Sequence, residues 1–307
     1  MSILDDLTAE GRARRVEQTD PPRSPRETLP TMYDLPSEDP EEPGLPDEFH
    51  DLQPQLLSRT LHLSRYSRNN CFTASDLNLY YDVTHPLWQK RPDWFLVVGV
   101  PRLYEGKDSR RSYVVWQEGK FPYVIVEFLS PGTEAEDLGR FHSAATAVTS
   151  ATLNGEPTKK TIPPGKLEVY ERYLRVPHYI VYSRYTRRLR YFKLEGGSYH
   201  EQTVGEVAPA IWLDDLEIGL GIWQGEFEGL PDAWLRWCDR EGNWLLTDTE
   251  QEQLGKEQER LEKERERAAK EQERLEKNGN APPKSKLKPS YFRRLAICWR
   301  LEWRLNR

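Results

Sequence analysis

The chain has 307 residues, of which 37% are hydrophobic and 31% charged, against roughly 45–50% apolar and about 25% charged in ordinary soluble domains. A packed core therefore shares the sequence with polar segments, no run approaches the roughly 18 apolar residues that span a bilayer, and Met1–Arg15 lacks the apolar centre of a signal peptide, so neither export nor stable membrane insertion is expected. Net charge is −6, yet from Lys284 onward eight Lys and Arg face one Glu, which leaves the rest of the chain strongly acidic and argues against tight, non-specific binding to nucleic acid.

Residues 1–30 are rich in Arg, Glu, Asp and Pro and are expected to be disordered, because they cannot bury enough apolar surface to offset the entropy of ordering. TMYDLPSEDPEEPGLPDEFH follows as an acidic, Pro-punctuated lead-in. From Asp51, Leu52, Leu56, Leu57, Leu61 and Leu63 fall near helical spacing and predict a helix that ends about Tyr66. After the Asn69-Asn70 turn signal, CFTASDLNLYYD predicts a strand or hairpin. DWFLVVGV, RSYVVWQEG and FPYVIVEFLS predict three further strands. The first and third of these are apolar almost throughout, as befits interior strands covered on both faces.

The stretch from Gly132 to Thr161 is polar and suggests no element. Pro163-Pro164-Gly165 then introduces a helix, KLEVYERYLR, which stops before Pro177. HYIVYSRY, LRYFKLEGG and SYHEQTV predict a strand followed by a hairpin with a Gly-Gly turn, and short strands carry the chain to about Leu246. Helix, strands, helix and strands in that order predict an α/β domain over 31–246, a mixed sheet with helices packed on it.

Residues 249–277 contain a seven-residue repeat, KEQERLE, KERERAA and KEQERLE from Lys256. Leu254, Leu261, Ala268 and Leu275 share one heptad position, but the second seam position holds Glu, Arg or Gln where a stable coiled coil needs an apolar residue. The segment reads as a solvated helix laced by charge pairs; the alternative is a coiled-coil seam of a homodimer. Residues 278–307 form a basic tail with Trp299 and Trp303 interleaved, suited to a docked helix or to contact with nucleic acid or an anionic surface.

Several chemistries lack their signatures. There is no HExxH and no GxSxG. GEPTKKT from Gly155 lacks the glycine before the Lys of a phosphate loop, and GLGIWQG from Gly219 opens no helix. Cys71, Cys238 and Cys298 are scattered and suit free thiols in a reducing compartment, so the chain reads as cytoplasmic.

Two acids are out of place. Glu127 interrupts YVIVEFL, and Asp93 opens PDWFLVVGV. Carboxylates on neighbouring strands would lie about 4.7–4.9 Å apart along the pairing direction, and repulsion with desolvation would push at least one to its neutral form. A divalent cation removes that conflict, since Mg²⁺ takes hard oxygen ligands. A salt bridge to Lys or Arg does so as well.

KRPDWFLVV, VEFLSPGTEAEDLG and KLEVYERYLRVPHYIVYSR, in that order, resemble the Uma2 family of restriction endonucleases, a branch of the PD-(D/E)xK nucleases, over about Leu29 to Trp244. The resemblance implies a restriction-endonuclease-like core, a mixed β-sheet flanked by helices. It also implies Mg²⁺, or Mn²⁺ in its place, at the open end of the sheet, and hydrolysis of DNA phosphodiesters. Asp93 would be the PD acid and Glu127 the (D/E) acid, both as metal ligands. The chain departs from the pattern where Leu129 stands in place of the Lys expected two residues after Glu127. Lys166 would supply the ammonium from the following helix, with Tyr170 one turn on. Asp76 in SDLNLYY matches a recurring acid that would hold the metal through a water, or it caps a turn. His50 and Glu48 match a region where related nucleases place another acid. Glu134, Glu136 and Asp137 would sit in the first turn of a helix, favoured by its dipole. The rival reading is an inactive nuclease-fold scaffold acting through its charged C-terminal helix.

Overall fold

The computed structural model describes residues 20–21, 47–130, 134–142 and 163–277. Nearly all of the expected disordered segment 1–30, most of the polar stretch before Pro163 and the basic tail 278–307 lie outside them.

The first helix, α1 (Glu48–Thr60), begins where the Asp47 carboxylate accepts the His50 amide at 3.0 Å, with Glu48 and Asp51 in the first turn complementing the helix dipole. Phe49, Gln53, Leu56 and Leu57 face inward, and the Gln53 side chain satisfies both backbone groups of Leu235. The helix stops at Thr60, six residues before the expected end at Tyr66. The Thr60 hydroxyl bonds back to the Leu56 carbonyl at 2.7 Å, and Leu61 continues in extended conformation to remain in the core.

Six strands form the main sheet in the order β1 (Cys71–Ala74), β4 (Trp94–Val98), β6 (Val124–Phe128), β7 (His178–Ser183), β8 (Arg188–Glu195) and β9 (Ser198–Gln202). Only β6 and β7 run parallel; the other neighbours are antiparallel. That parallel step requires a crossover, which carries helices α3 (Glu134–Leu138) and α4 (Lys166–Glu168). The two apolar runs predicted as interior strands are β4 and β6. Alternation divides their side chains between two cores. Trp94, Leu96, Val124 and Val126 pack with Phe49, Leu56 and Leu57 of α1, and with a separate sheet of β10 (Ile211–Leu213), β11 (Ile218–Phe227) and β12 (Leu230–Cys238). Phe95, Val97, Ile125, Tyr179 and Val181 pack with Leu138, Leu167, Val169 and Tyr170. The fold is the mixed sheet flanked by helices that the sequence predicts.

Details differ in two places. CFTASDLNLYYD is not a hairpin: β1 belongs to the main sheet, whereas β2 (Leu79–Tyr80) joins a small sheet with β3 (Gln89–Lys90) and β5 (Tyr113–Val114). The break falls at Asp76, whose φ is +48°. RSYVVWQEG yields only the two residues of β5 before a single helical turn, α2 (Val115–Glu118). That turn is held by the paired Glu118 and Arg110 side chains and closed by Gly119 in the left-handed region.

The predicted Gly-Gly turn joins β8 to β9, with Gly196 and Gly197 both at positive φ. A final helix, α5 (Asp248–Lys277), starts with a capping box: Thr247 accepts the Glu250 amide, and the Glu250 carboxylate returns to the Thr247 amide at 2.7 Å. Buried Arg236 on β12 pairs with Glu250 and ties this first turn to the body. Beyond it, charge pairs such as Lys256–Glu252 and Lys263–Glu259 are exposed and contribute about 0.3–0.5 kcal/mol each. Among the described residues no helix is long and apolar enough to cross a membrane.

Candidate active site

Strand register brings two acids side by side. β1 pairs with β4 so that Ala74 faces Phe95, and β4 pairs with β6 so that Trp94 faces Val126. Carrying the β4–β6 register one step further sets Asp93 opposite Glu127. Asp76 lies two residues beyond β1 at positive φ, and its amide bonds the Pro92 carbonyl at 3.1 Å, one residue off the β1–β4 register, so the ladder breaks before it. Directly opposed residues share a sheet face, here the face covered by the α3–α4 crossover. The backbone fixes the carboxylates further: the Phe128 amide donates to Asp93 Oδ2 at 2.5 Å and the Asp93 amide to Glu127 Oε2 at 3.3 Å.

Glu127 is fully buried. Lys166, the first residue of α4, places Nζ 3.1 Å from Glu127 Oε2 and 2.9 Å from Asp137 Oδ1. One turn on, the Tyr170 hydroxyl donates to Glu127 Oε1 at 2.6 Å. Lys166 thus reaches from helix to sheet as the spacing in KLEVY suggests, while Leu129 is buried in the core. The helix then widens into a π-turn over Val169–Tyr173. Buried Glu171 lies in this turn, bound by Arg140 and by the Tyr199 amide. Such widened turns are frequent at functional sites. Gly139 lets α3 and α4 approach closely, because a Cβ there would sit 2.8 Å from Leu167 Cδ2.

Asp137 is the residue that sequence reasoning missed. It does lie in a short helix, as expected, but it is 1% exposed and faces Lys166 instead of solvent. Its position immediately before Leu138 and Gly139, at the packed end of EAEDL, was the only signal available. Glu48, by contrast, is exposed on α1.

The electrostatics follow from the count of charges. Burial raises the Glu127 pKa to about 8, against the attraction of Lys166 and reinforced by Asp93. Asp93 is raised as well by burial, with Lys166 opposing and Asp137 adding repulsion. Burial disfavours the Lys166 ammonium, but Glu127, Asp137 and Asp93 together hold it protonated far above neutrality. Asp76 is also raised by burial, with Arg91, His50 and Lys166 opposing. Asp93, Glu127 and Asp137 therefore share the Lys166 ammonium, with His50 acting on Asp93 from the other side.

That deficit of positive charge, with hard carboxylate oxygens as the donors, fits a divalent cation such as Mg²⁺. Asp93 and Glu127 could hold it with waters. Among the described residues no three His, Cys, Asp or Glu side chains form a closed metal cage. Mg²⁺ does not ask for one, since it commonly binds through one or two carboxylates and keeps several waters.

His50 reaches the same end of the sheet from α1. Its Nε2 lies 3.1 Å from the Phe128 carbonyl and its Nδ1 2.9 Å from Asp47 Oδ1. Both partners can only accept, so both ring nitrogens must donate and the ring is an imidazolium. Burial opposes this charge, yet the Asp47 hydrogen bond and the nearby Asp93 raise the pKa to about 8. Because the folded value exceeds the usual 6.5, this stabilisation is complete below about pH 6.5 and disappears as pH rises through 8. An NMR titration should place His50 near 8, and Asp47→Asn should return it toward 6.5; a wild-type value near 6.5 contradicts the imidazolium.

Residues 23–222 match the model of the Uma2 family, described as “Putative restriction endonuclease”. The match contains Asp76, Asp93, Glu127, Asp137 and Lys166, and it ends within β11. No curated protein matches the chain.

Proposed function

The chain belongs to the Uma2 family, and from that premise we propose that it is a metal-dependent endonuclease that hydrolyses DNA phosphodiester bonds at Asp93, Glu127 and Lys166. The observation that carries this reading is the group of three carboxylates around one ammonium at the end of the sheet. The carboxylates outnumber the ammonium, and the fold relieves the surplus by keeping a proton on Glu127 up to about pH 8, a proton that a bound cation would displace.

Asp93 and Glu127 would ligate Mg²⁺ or Mn²⁺ directly. The bound ion would polarise a phosphoryl oxygen and lower the pKa of a water. The chain's own groups have separate tasks. Lys166, held protonated, cannot serve as a base; it donates to the attacking water or to a non-bridging phosphate oxygen and offsets the charge that grows there. Asp137 anchors the ammonium at 2.9 Å so that it stays aimed across the acid pair. Tyr170 fixes the rotamer of Glu127, and the Phe128 amide fixes that of Asp93. Fixed dipoles of this kind need no reorganisation as the reaction proceeds.

Incubation with supercoiled plasmid tests this directly. Nicked or linear DNA should accumulate with Mg²⁺ or Mn²⁺ and not with excess chelator. Cleavage of equal rate in chelator would overturn the metal-dependent reading.

A further inference from the structure

Proline at position 92 removes a rung from the sheet beside the acids. The β4–β6 register sets Trp94 opposite Val126, so two residues back Pro92 stands opposite Phe128. At every second position of an antiparallel pair, facing residues exchange both N–H and C=O groups. The Phe128 amide points toward β4, since it reaches Asp93 Oδ2 at 2.5 Å, so the Phe128 carbonyl lies on the same edge with Pro92 as its facing residue. A proline has no N–H to give. Its own carbonyl accepts the Asp76 amide. Both polar groups of Phe128 therefore take partners outside the ladder.

The amide takes Asp93, and the carbonyl takes His50. The helix α1 packs on the sheet face opposite the carboxylates, and from its first turn His50 Nε2 meets the Phe128 carbonyl at 3.1 Å. The ring is gripped on its other side by Asp47 at 2.9 Å, and the second Asp47 oxygen bonds Arg184, just past the end of β7, at 2.9 Å. Phe49 and Phe128 stand edge-on to the imidazole, whose side chain is only 14% exposed. Both ring nitrogens are engaged as donors, so His50 has no lone pair for a metal and is not itself a ligand. Phe128 is thus held from one face by His50 and holds Asp93 on the other.

Resting on the metal-dependent reading above, we propose that His50 is a positioning residue for the cation site. By supplying the donor that Pro92 lacks, it fixes the end of β6 at Phe128, so that the Phe128 amide keeps Asp93 aimed beside Glu127.

The sign of the effect separates this role from that of a charge. An imidazolium repels a divalent cation, so removing the charge alone would tighten metal binding. Removing a group that holds a ligand in place weakens metal binding, typically by about 10–100-fold.

The test is calorimetric titration of Mn²⁺ into the full chain at pH 7, with plasmid cleavage in Mg²⁺ measured in parallel. His50→Ala should weaken Mn²⁺ binding at least about tenfold. His50→Gln can donate to the Phe128 carbonyl from the place of Nε2 without a charge, and should match or exceed the wild-type affinity. His50→Phe keeps the ring packing without a donor and gives the same comparison where His50→Ala does not fold. If the wild type binds Mn²⁺ and the donor-less variant binds it equally or more tightly, or if His50→Gln is as weak as that variant, the positioning role falls and the nuclease reading stands. If the wild type neither binds Mn²⁺ nor cleaves plasmid, both fall.

Discussion

Asp93→Asn and Glu127→Gln should each reduce Mg²⁺-dependent plasmid cleavage by at least about 10²–10³-fold, the loss typical when one preorganised electrostatic group is removed from a reacting centre. Neither variant should unfold the protein. In the folded chain these buried carboxylates repel each other and Asp137, with the Lys166 ammonium and, at Asp93, the His50 imidazolium in opposition. An amide keeps the shape and removes a charge. Stability at pH 8 should therefore remain unchanged or rise, as measured by denaturant titration. A paired fall in stability and activity would mark these acids as structural members of a balanced ion pair. Activity lost with stability kept marks a site at which charge is retained at the expense of the fold.

Lys166→Met should have the opposite effect on stability. Removing the single ammonium leaves Glu127 and Asp137 buried without their shared cation, and breaking such a pair from one side typically costs about 3–5 kcal/mol. The loss depends on pH in a predictable direction. Glu127 already binds its proton up to about pH 8 in the fold, against about 4.5 when unfolded, so the folded state holds the extra proton and stability declines as pH rises across that window. Without Lys166 the decline should be steeper, and the gap between variant and wild type should narrow toward pH 5. Denaturant unfolding at pH 5, 7 and 8.5 checks this. A gap independent of pH would show that Lys166 acts through packing of its stem and not through its charge.

What the sequence revealed and what it concealed have physical reasons. Glu127 and Asp93 were legible because a charge inside an apolar run of strand length conflicts with burial. Lys166 and Tyr170 were legible as a pair because residues four apart share a helix side, although assigning them to the site needed the family pattern. Asp76 was visible as an acid, but that the chain turns there and leaves the β1–β4 ladder was not, because register arises from pairing of distant segments. Asp137 was hidden for a related reason: EAEDL reads as a charged first turn, and only the close approach permitted by Gly139 turns one of its acids inward. The separate β10–β11–β12 sheet and the early end of α1 depend on long-range packing, which no local period encodes.

The missing lysine at position 129 favoured an inactive scaffold when the sequence was taken alone. The distance of 3.1 Å between Lys166 Nζ and Glu127 removes the force of that objection, since an ammonium stands at the acid pair although it comes from another element.

The claim on which the rest depends is that the acid pair needs a cation beyond Lys166. Calorimetric titration of Mn²⁺ into the wild type and into Asp93→Asn tests it without reference to any substrate. The account predicts a saturable heat for the wild type, increasing in affinity from pH 6.5 to 8 as Glu127 yields its proton, and lost in the variant. A wild type that binds no Mn²⁺, or a variant that binds it equally well, contradicts the account.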